Sequence, residues 1–160
     1  MSSFGPPEGC WTVLSTERVF SAPPYVTVTR ERVRTDVGVE INGFYRVDLA
    51  PFVVCVPQPP GGDIVTIWQY KHGPRRWGLT FPAGYVDAGE TPEAACRREL
   101  MEEAGYILGK VVLLGEFVDN GNQRGSLGSY YIASDCRWAK LPCSSDRTPA
   151  SSAFVIASAV

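Results

Sequence analysis

Three glutamates, Glu99, Glu102 and Glu103, are the residues of this sequence best spaced to do chemistry together. Positions three and four apart lie on one face of a helix, so in a helix their carboxylates would project side by side. Like charges so close repel one another, and a bound divalent cation would relieve the repulsion. Mg²⁺ suits such a place, because it prefers carboxylate oxygens shared with waters and substrate phosphates. The spacing therefore predicts a site for metal and phosphate; the alternative is a solvated acidic face beside Arg97 and Arg98.

The helix that would carry these glutamates is predicted from Pro92 to Ala104 by its end signals. Thr91 is a favourable N-cap, and proline is well tolerated at the first helical position. Gly105 can end the helix in a left-handed turn. These signals place the three glutamates in the second half of one short helix.

Strand patterns surround this helix on both sides. Alternation with period two predicts a strand at residues 26–29. Asn42 and Gly43 stand between two alternating segments, where a type I′ turn would close a hairpin. Four further apolar segments are predicted as strands, the first two of them paired: 52–56, 64–70, 111–118 and 129–133. One α+β domain accommodates all of these elements.

Composition limits the classes of function. The 160 residues suit one domain, and 15 basic against 17 acidic residues give a formal charge of −2. Such a chain has no net basic field for nucleic acid, so a small ligand is expected instead. No apolar run reaches the length of a membrane span and no signal peptide is expected. The five cysteines form no C-x-x-C pair, so we expect reduced thiols and a cytoplasmic protein. From the charge and the apolar runs together we expect that it binds neither nucleic acid nor membrane.

Residues 84–106 resemble the box of the Nudix hydrolases, G-x5-E-x7-R-E-U-x-E-E-x-G-U, in which U is a bulky apolar residue, and every fixed position is filled. The resemblance implies an α/β/α sandwich with a mixed sheet, whose helix presents metal ions to a nucleoside diphosphate linked to another group. Carried over position by position, the implied metal ligands are Glu99, Glu102, Glu103 and the backbone carbonyl of Ala83. The implied catalytic set is Glu102 and Glu103, with Arg98 and Glu90 holding the loop to the helix.

The segments 25–47, 52–70 and 77–84 resemble the ADP-ribose and ADP-sugar pyrophosphatase branch of that family. Members of this branch place a small antiparallel β-region before the Nudix core, and that region builds a homodimer. The resemblance implies a single Nudix domain over residues 1–160. Its parts would be a loose N-terminal arm (1–24), the β-region (25–50), the core (51–146) and a diverged or truncated tail (147–160).

Some candidate residues for substrate binding come from the branch, at the positions of Trp68, Tyr70, Asn120 and Gln123. Two others, Arg30 and Arg32, alternate on one strand face and could reach a phosphate; the alternative is that they are only solvated. Trp68 stands where the branch has an arginine; it would either stack on a base or pack in the core. The loop 119–125 lacks the proline that often marks ADP-ribose enzymes. The catalytic base is open between Asp146, Asp119 and Glu102.

Three functions follow from the resemblance. The first is an enzyme that uses Mg²⁺, with Mn²⁺ as the alternative, to split ADP-ribose or another nucleotide sugar into a nucleoside monophosphate and a sugar phosphate. The second keeps the chemistry but takes a (d)NTP and releases pyrophosphate. The third is an inactive nucleotide-binding module, suggested by the altered tail.

Overall fold

The computed structural model describes residues 10–139 and 154–158. These residues form one helix, α1 (Pro92–Ala104), and thirteen strands. The strands are β1 (Thr12–Ala22), β2 (Val26–Arg34), β3 (Glu40–Leu49), β4 (Phe52–Gln58), β5 (Ile64–Lys71), β6 (Arg76–Thr80), β7 (Ala83–Tyr85), β8 (Tyr106–Ile107), β9 (Lys110–Val118), β10 (Arg124–Gly125), β11 (Leu127–Ser134), β12 (Arg137–Trp138) and β13 (Phe154–Ser158).

The chain divides into two compact units. The first comprises residues 1–49 and 120–125, and the second comprises residues 50–119 and 126–160. The inclusion of residues 120–125 in the first unit was not predicted, because it depends on the parallel pairing of β10 with β3.

The first unit is a sheet in the order β1-β2-β3-β10. Thr29, Glu31 and Val33 alternate along β2 and are buried, while the residues between them are exposed. Buried Glu31 pairs with Arg46 of β3 at 3.1 Å, so a carboxylate at a buried position keeps a charged partner. The expectation of a loose arm over residues 1–24 is wrong for β1, whose eleven residues pair antiparallel with β2.

The predicted turn at Asn42 and Gly43 is wrong, because both residues lie inside β3. The chain reverses earlier, where Gly38 has a φ of +85° and its N–H donates to the carbonyl of Thr35 at 3.0 Å. Arg34 and Glu40, which lie on either side of this turn, form an ion pair at 2.7 Å. The left-handed residue that the hairpin needs is therefore Gly38.

The second unit holds a mixed sheet in the order β7-β4-β11-β9. Strand β11 runs parallel to β4 and antiparallel to β9. Helix α1 contributes Ala95, Cys96, Leu100 and Ala104 to the core that contains residues of β4 and β11. This apolar stripe leaves the acidic side chains of α1 on other faces of the helix. The predicted α+β fold with a mixed sheet is confirmed.

A separate sheet in the second unit has the order β13-β5-β6. Strands β4 and β5 lie in different sheets, so the expectation that they pair is wrong. Their connection at Pro59–Asp63 carries Gly61 and Gly62 with φ of +117° and +91°, and it leads the chain from one sheet to the other. Of the tail predicted at 147–160, only the backbone of Phe154–Ser158 is described, and it pairs antiparallel with β5.

The cysteines that the structure describes are all free thiols, with Cys10 exposed and Cys55, Cys96 and Cys136 buried. Burial raises the pKa of the Cys136 thiol. Among the described residues, no helix has the length and apolar character needed to cross a lipid bilayer.

Candidate metal and phosphate site

Helix α1 begins and ends where its sequence signals predict. The side chain of Thr91 accepts a hydrogen bond from the N–H of Ala94 at 3.2 Å. Gly105 adopts a left-handed φ of 71°, and its N–H donates to the carbonyl of Met101. These caps fix the ends of the helix, and with them the positions of its acidic side chains.

Arg98 ties the helix to the loop that precedes it. Its Nε and Nη2 donate to the two oxygens of Glu90 at 3.0 and 2.8 Å, and Nη2 also donates to the carbonyl of Tyr85 at 2.9 Å. Glu90 in turn accepts from the N–H of Asp87 at 3.1 Å. The guanidinium of Arg98 lowers the pKa of Glu90, and Glu90 raises the pKa of Arg98. Arg98 therefore joins α1 to the loop through a planar bidentate ion pair with Glu90, and to strand β7 through the hydrogen bond to Tyr85.

The same guanidinium reaches two of the three clustered glutamates. Its Nη1 lies 2.6 Å from Glu99 and 3.5 Å from Glu102. The Glu99 side chain is 13% exposed and the Glu102 side chain is 34% exposed. Burial raises the pKa of Glu99, and the negative charges of Glu103 and Glu102 add to the rise, while Arg98 acts against it. Burial thus disfavours the charged form of Glu99 although Arg98 lies beside it.

Gly84 makes the position of Glu99 sterically accessible. A Cβ built at Gly84 would overlap the carboxylate of Glu99. The side chain of Glu99 therefore lies directly against the bare backbone of β7, in space that any other residue at position 84 would fill.

Glu103 is held by neutral donors instead of a cation. Its Oε1 accepts from Gln69 Nε2 at 2.8 Å, and its Oε2 accepts from the N–H of Ala83 at 2.9 Å. Thr80 donates its hydroxyl to Gln69 Oε1 at 3.3 Å. Sequence reasoning missed the roles of Gln69 and Thr80. Gln69 could have been found from one sequence signal: it is a polar amide on the same face of β5 as the core residues Val65 and Ile67.

The donor chemistry of this group fits a hard divalent cation such as Mg²⁺. Glu99 lies against Gly84, and Glu103 accepts from Ala83, so both carboxylates meet the same short stretch of β7. As the side chains stand, residues 10–139 and 154–158 contain no group of three or more His, Cys, Asp or Glu arranged to hold a metal ion. Arg98 occupies the position of counter-charge beside Glu99. The ligand set drawn from the sequence thus stays a prediction.

The substrate candidates Trp68 and Tyr70 lie on an exposed aromatic face of β5 and β6. Trp68 pairs across the strands with Leu79, and Tyr70 pairs with Trp77, with 6.0 Å between the Tyr70 and Trp77 ring centroids. Trp68 is 38% exposed, so the alternative of a core tryptophan is wrong. The sequence did not identify Trp77 as part of this aromatic face, because its place beside Tyr70 depends on the cross-strand register.

The remaining candidates are divided between the two units and the residues outside the described ranges. In the first unit, Arg30 pairs with Glu17 at 2.7 Å, and Arg32 lies 3.7 Å from Glu40. A hydrogen bond of 2.9 Å joins Asn120 Nδ2 to Gln123 Oε1, also in the first unit. Asp119 is an exposed residue of the second unit, and Asp146 lies outside the described residues.

Comparison with known proteins gives three findings. The ADP-sugar pyrophosphatase of Mus musculus is 44% identical over 43 residues, which cover 27% of this chain and 20% of that protein. The RNA pyrophosphohydrolase of Tolumonas auensis is 46% identical over 48 residues, 30% of this chain and 26% of that protein. The crystal structure of an ADP compounds hydrolase shares the fold with a TM-score of 0.72 at 22% identity, covering 92% of this chain and 78% of that one.

The matched segments thus span about a quarter or less of these curated relatives. Residues 48–142, more than half of the chain, match the NUDIX domain. This match covers the strand, loop and helix that bring together Ala83, Arg98 and the three glutamates. The chain belongs to the NUDIX domain family.

Proposed function

We propose that the protein is a divalent-metal-dependent hydrolase of nucleoside diphosphates linked to another group, with ADP-ribose or another nucleotide sugar as its substrate class. The products would be a nucleoside monophosphate and a sugar phosphate. The observation that carries the proposal is the meeting of Glu99 and Glu103 at the Ala83–Gly84 backbone, beside the Arg98–Glu90 pair. The names of the ADP-sugar and ADP-compound relatives support this substrate class.

The metal ligands in this proposal are Glu99, Glu102, Glu103 and the backbone carbonyl of Ala83. When bound, Mg²⁺ would polarise the pyrophosphate and make a water molecule a better nucleophile. Arg98 holds the loop against α1 through Glu90 and also bonds to the carbonyl of Tyr85 in β7, and so keeps the Ala83 carbonyl and the helix glutamates in one place. Glu102, whose side chain is 34% exposed, is one candidate for the catalytic base; the other two candidates are Asp119 and Asp146.

The aromatic face of β5 and β6 supplies a surface for the nucleobase. Trp68, Tyr70 and Trp77 are each more than a third exposed. Exposed rings of this size can stack on a base, which is worth about 1–3 kcal/mol per base in proteins that bind single strands. Trp68→Ala is expected to raise KM for the nucleotide sugar more than it lowers kcat, since Trp68 would contact the base and not the reacting phosphorus.

The experiment that tests the proposal is product analysis of the purified protein with Mg²⁺. The panel holds ADP-ribose, other nucleotide sugars, the dNTPs and a 5′-triphosphorylated RNA. Nucleoside monophosphate plus sugar phosphate is the expected result. Pyrophosphate from a dNTP would replace the proposal with the (d)NTP function, and pyrophosphate from the RNA end would place the protein beside its RNA pyrophosphohydrolase relative. Nucleotide binding without any turnover would indicate the inactive module.

A matched pair of variants ties turnover to the site. Glu103→Gln should lose most of the activity, because it removes a charged ligand. Glu93→Gln changes an exposed glutamate of the same helix that pairs with Arg97 at 2.8 Å, and should leave turnover unchanged. Equal activities of Glu103→Gln and the parent protein would refute the assignment of the site.

A further inference from the structure

We infer that Gln69 is a positioning residue for Glu103, and that Thr80 sets the orientation of the Gln69 amide. The inference rests on the proposed metal-dependent hydrolysis and adds two residues that lie outside the box. Its basis is a chain of two hydrogen bonds, from Thr80 Oγ1 to Gln69 Oε1 at 3.3 Å and from Gln69 Nε2 to Glu103 Oε1 at 2.8 Å.

The direction of this chain follows from its donors and acceptors. A carboxylate only accepts hydrogen bonds, whereas a glutamine amide has one accepting end and one donating end. With the amide turned over, Gln69 Oε1 would face the carboxylate of Glu103, acceptor against acceptor. The hydroxyl of Thr80 donates to the accepting end, and so holds the donating end toward Glu103.

Burial makes the interaction costly to lose. Gln69 is 4% exposed and shares its face of β5 with the fully buried Val65 and Ile67. A buried amide needs partners for its polar atoms, and here both ends have one. An amide at a position whose neighbours belong to the core is explained by its contact with the carboxylate 34 residues further along the chain.

The neutrality of the donors matters for what Glu103 can do. Gln69 and the Ala83 N–H each take one oxygen of the carboxylate, and neither carries a charge. A carboxylate has about four lone-pair sites, so two donors leave room for a further ligand. Glu103 is therefore fixed in direction by donors that carry no positive charge, unlike Glu99, which is paired with Arg98.

Removal of such a supporting residue usually costs 10- to 100-fold in metal affinity or activity. We therefore expect Gln69→Met, which keeps the bulk and removes the amide, to weaken Mn²⁺ binding about 10-fold. Thr80→Val removes the hydroxyl at nearly constant volume and should give a smaller loss. Thr80→Ser keeps the hydroxyl and should restore the binding of the parent protein.

The test is a titration of the full chain with Mn²⁺ in the absence of substrate, in which electron paramagnetic resonance measures the bound Mn²⁺. Circular dichroism and melting check that each variant is folded. Gln58→Met is the matched control, because the Gln58 amide donates to the backbone carbonyl of Gly62 at 3.1 Å. In turnover assays, the half-saturating Mn²⁺ concentration should rise for Gln69→Met while kcat at saturating Mn²⁺ changes little.

The outcomes separate this inference from the proposed function. If the parent protein neither binds Mn²⁺ nor turns over, the proposed function and the inference both fail. If the parent protein does both and Gln69→Met and Thr80→Val match it, the inference alone fails. If Gln69→Met does not fold, the pair Thr80→Val and Thr80→Ser decides: equal Mn²⁺ affinities overturn the inference, and rescue by serine supports it.

Discussion

Gly84→Ala is the substitution whose effect follows most directly from the structure. The added Cβ would coincide with the carboxylate of Glu99, and the atoms it meets are the far end of a flexible side chain. Relief of the overlap requires that carboxylate to move by roughly 1 Å or more, and a misplacement of that size can cost about 100-fold in rate. We expect a loss of that order in kcat/KM for the proposed hydrolysis.

The same substitution should have a modest effect on stability. The contact at stake is the Arg98–Glu99 pair of 2.6 Å, and hydrogen bonds to charged groups contribute about 1.5–3 kcal/mol. The overlapped atoms belong to the end of the Glu99 side chain, and Arg98 keeps its two bonds to Glu90. We therefore expect the free energy of unfolding to fall by no more than about 3 kcal/mol.

The assay combines urea unfolding with turnover and Mn²⁺ titration on the same samples. Gly43→Ala is the control, because Gly43 also lies in a strand and a Cβ there meets no atom within 4 Å. Full activity of Gly84→Ala would refute the argument that Glu99 must lie against this glycine. A loss of stability far above the estimate would show that the β7 backbone moves instead of Glu99.

Three further predictions concern pH, thiols and the turn of the first unit. Since Arg98 lowers the pKa of Glu90, this carboxylate should stabilise the fold above its ordinary pKa of about 4.3, and the contribution should vanish as the pH falls through the lower folded value. Urea unfolding of the parent protein and Glu90→Gln should give a stability difference that is constant near neutral pH and shrinks in acid. Peptide mass spectrometry after brief labelling with a thiol reagent should find Cys10 modified in the folded protein and the three buried cysteines modified only after unfolding. Gly38→Ala should lower the free energy of unfolding by about 1–2 kcal/mol, because the φ of Gly38 is left-handed. Gly43→Ala should leave the free energy of unfolding unchanged, and the reverse order of the two values would contradict the observed turn.

Features that depend on neighbouring residues could be predicted from the sequence. Helix α1 was, because Thr91 and Gly105 act on groups three or four residues away. The turn at Asn42 and Gly43 failed for the opposite reason. Strands β2 and β3 pair on both sides of the dipeptide, which lies at a register shift between the pairs Val33–Ile41 and Glu31–Phe44, so the strand pairing overrides the local turn preference.

The missed parts of the candidate site depend on contacts between distant residues. Gln69 and Glu103 are 34 positions apart, so the spacing along the chain gives no sign that they meet. Trp77 joins Tyr70 only through the register of β5 and β6. By contrast, the three glutamates of α1 were found because helical periodicity is itself a local rule.

The environments of the clustered carboxylates explain why similar residues would do different work. Four carboxylates lie within 4.0 Å of the Arg98 guanidinium, those of Asp87, Glu90, Glu99 and Glu102, so one positive charge against four negative ones leaves a formal local charge of −3 before Glu103 is counted. Arg98 makes its bidentate contact with Glu90, which holds the loop, and lies 3.5 Å from Glu102. Glu103 receives neutral donors alone. The uncompensated charge therefore resides on Glu102 and Glu103, and these are the two carboxylates for which a divalent cation would have the most to offset.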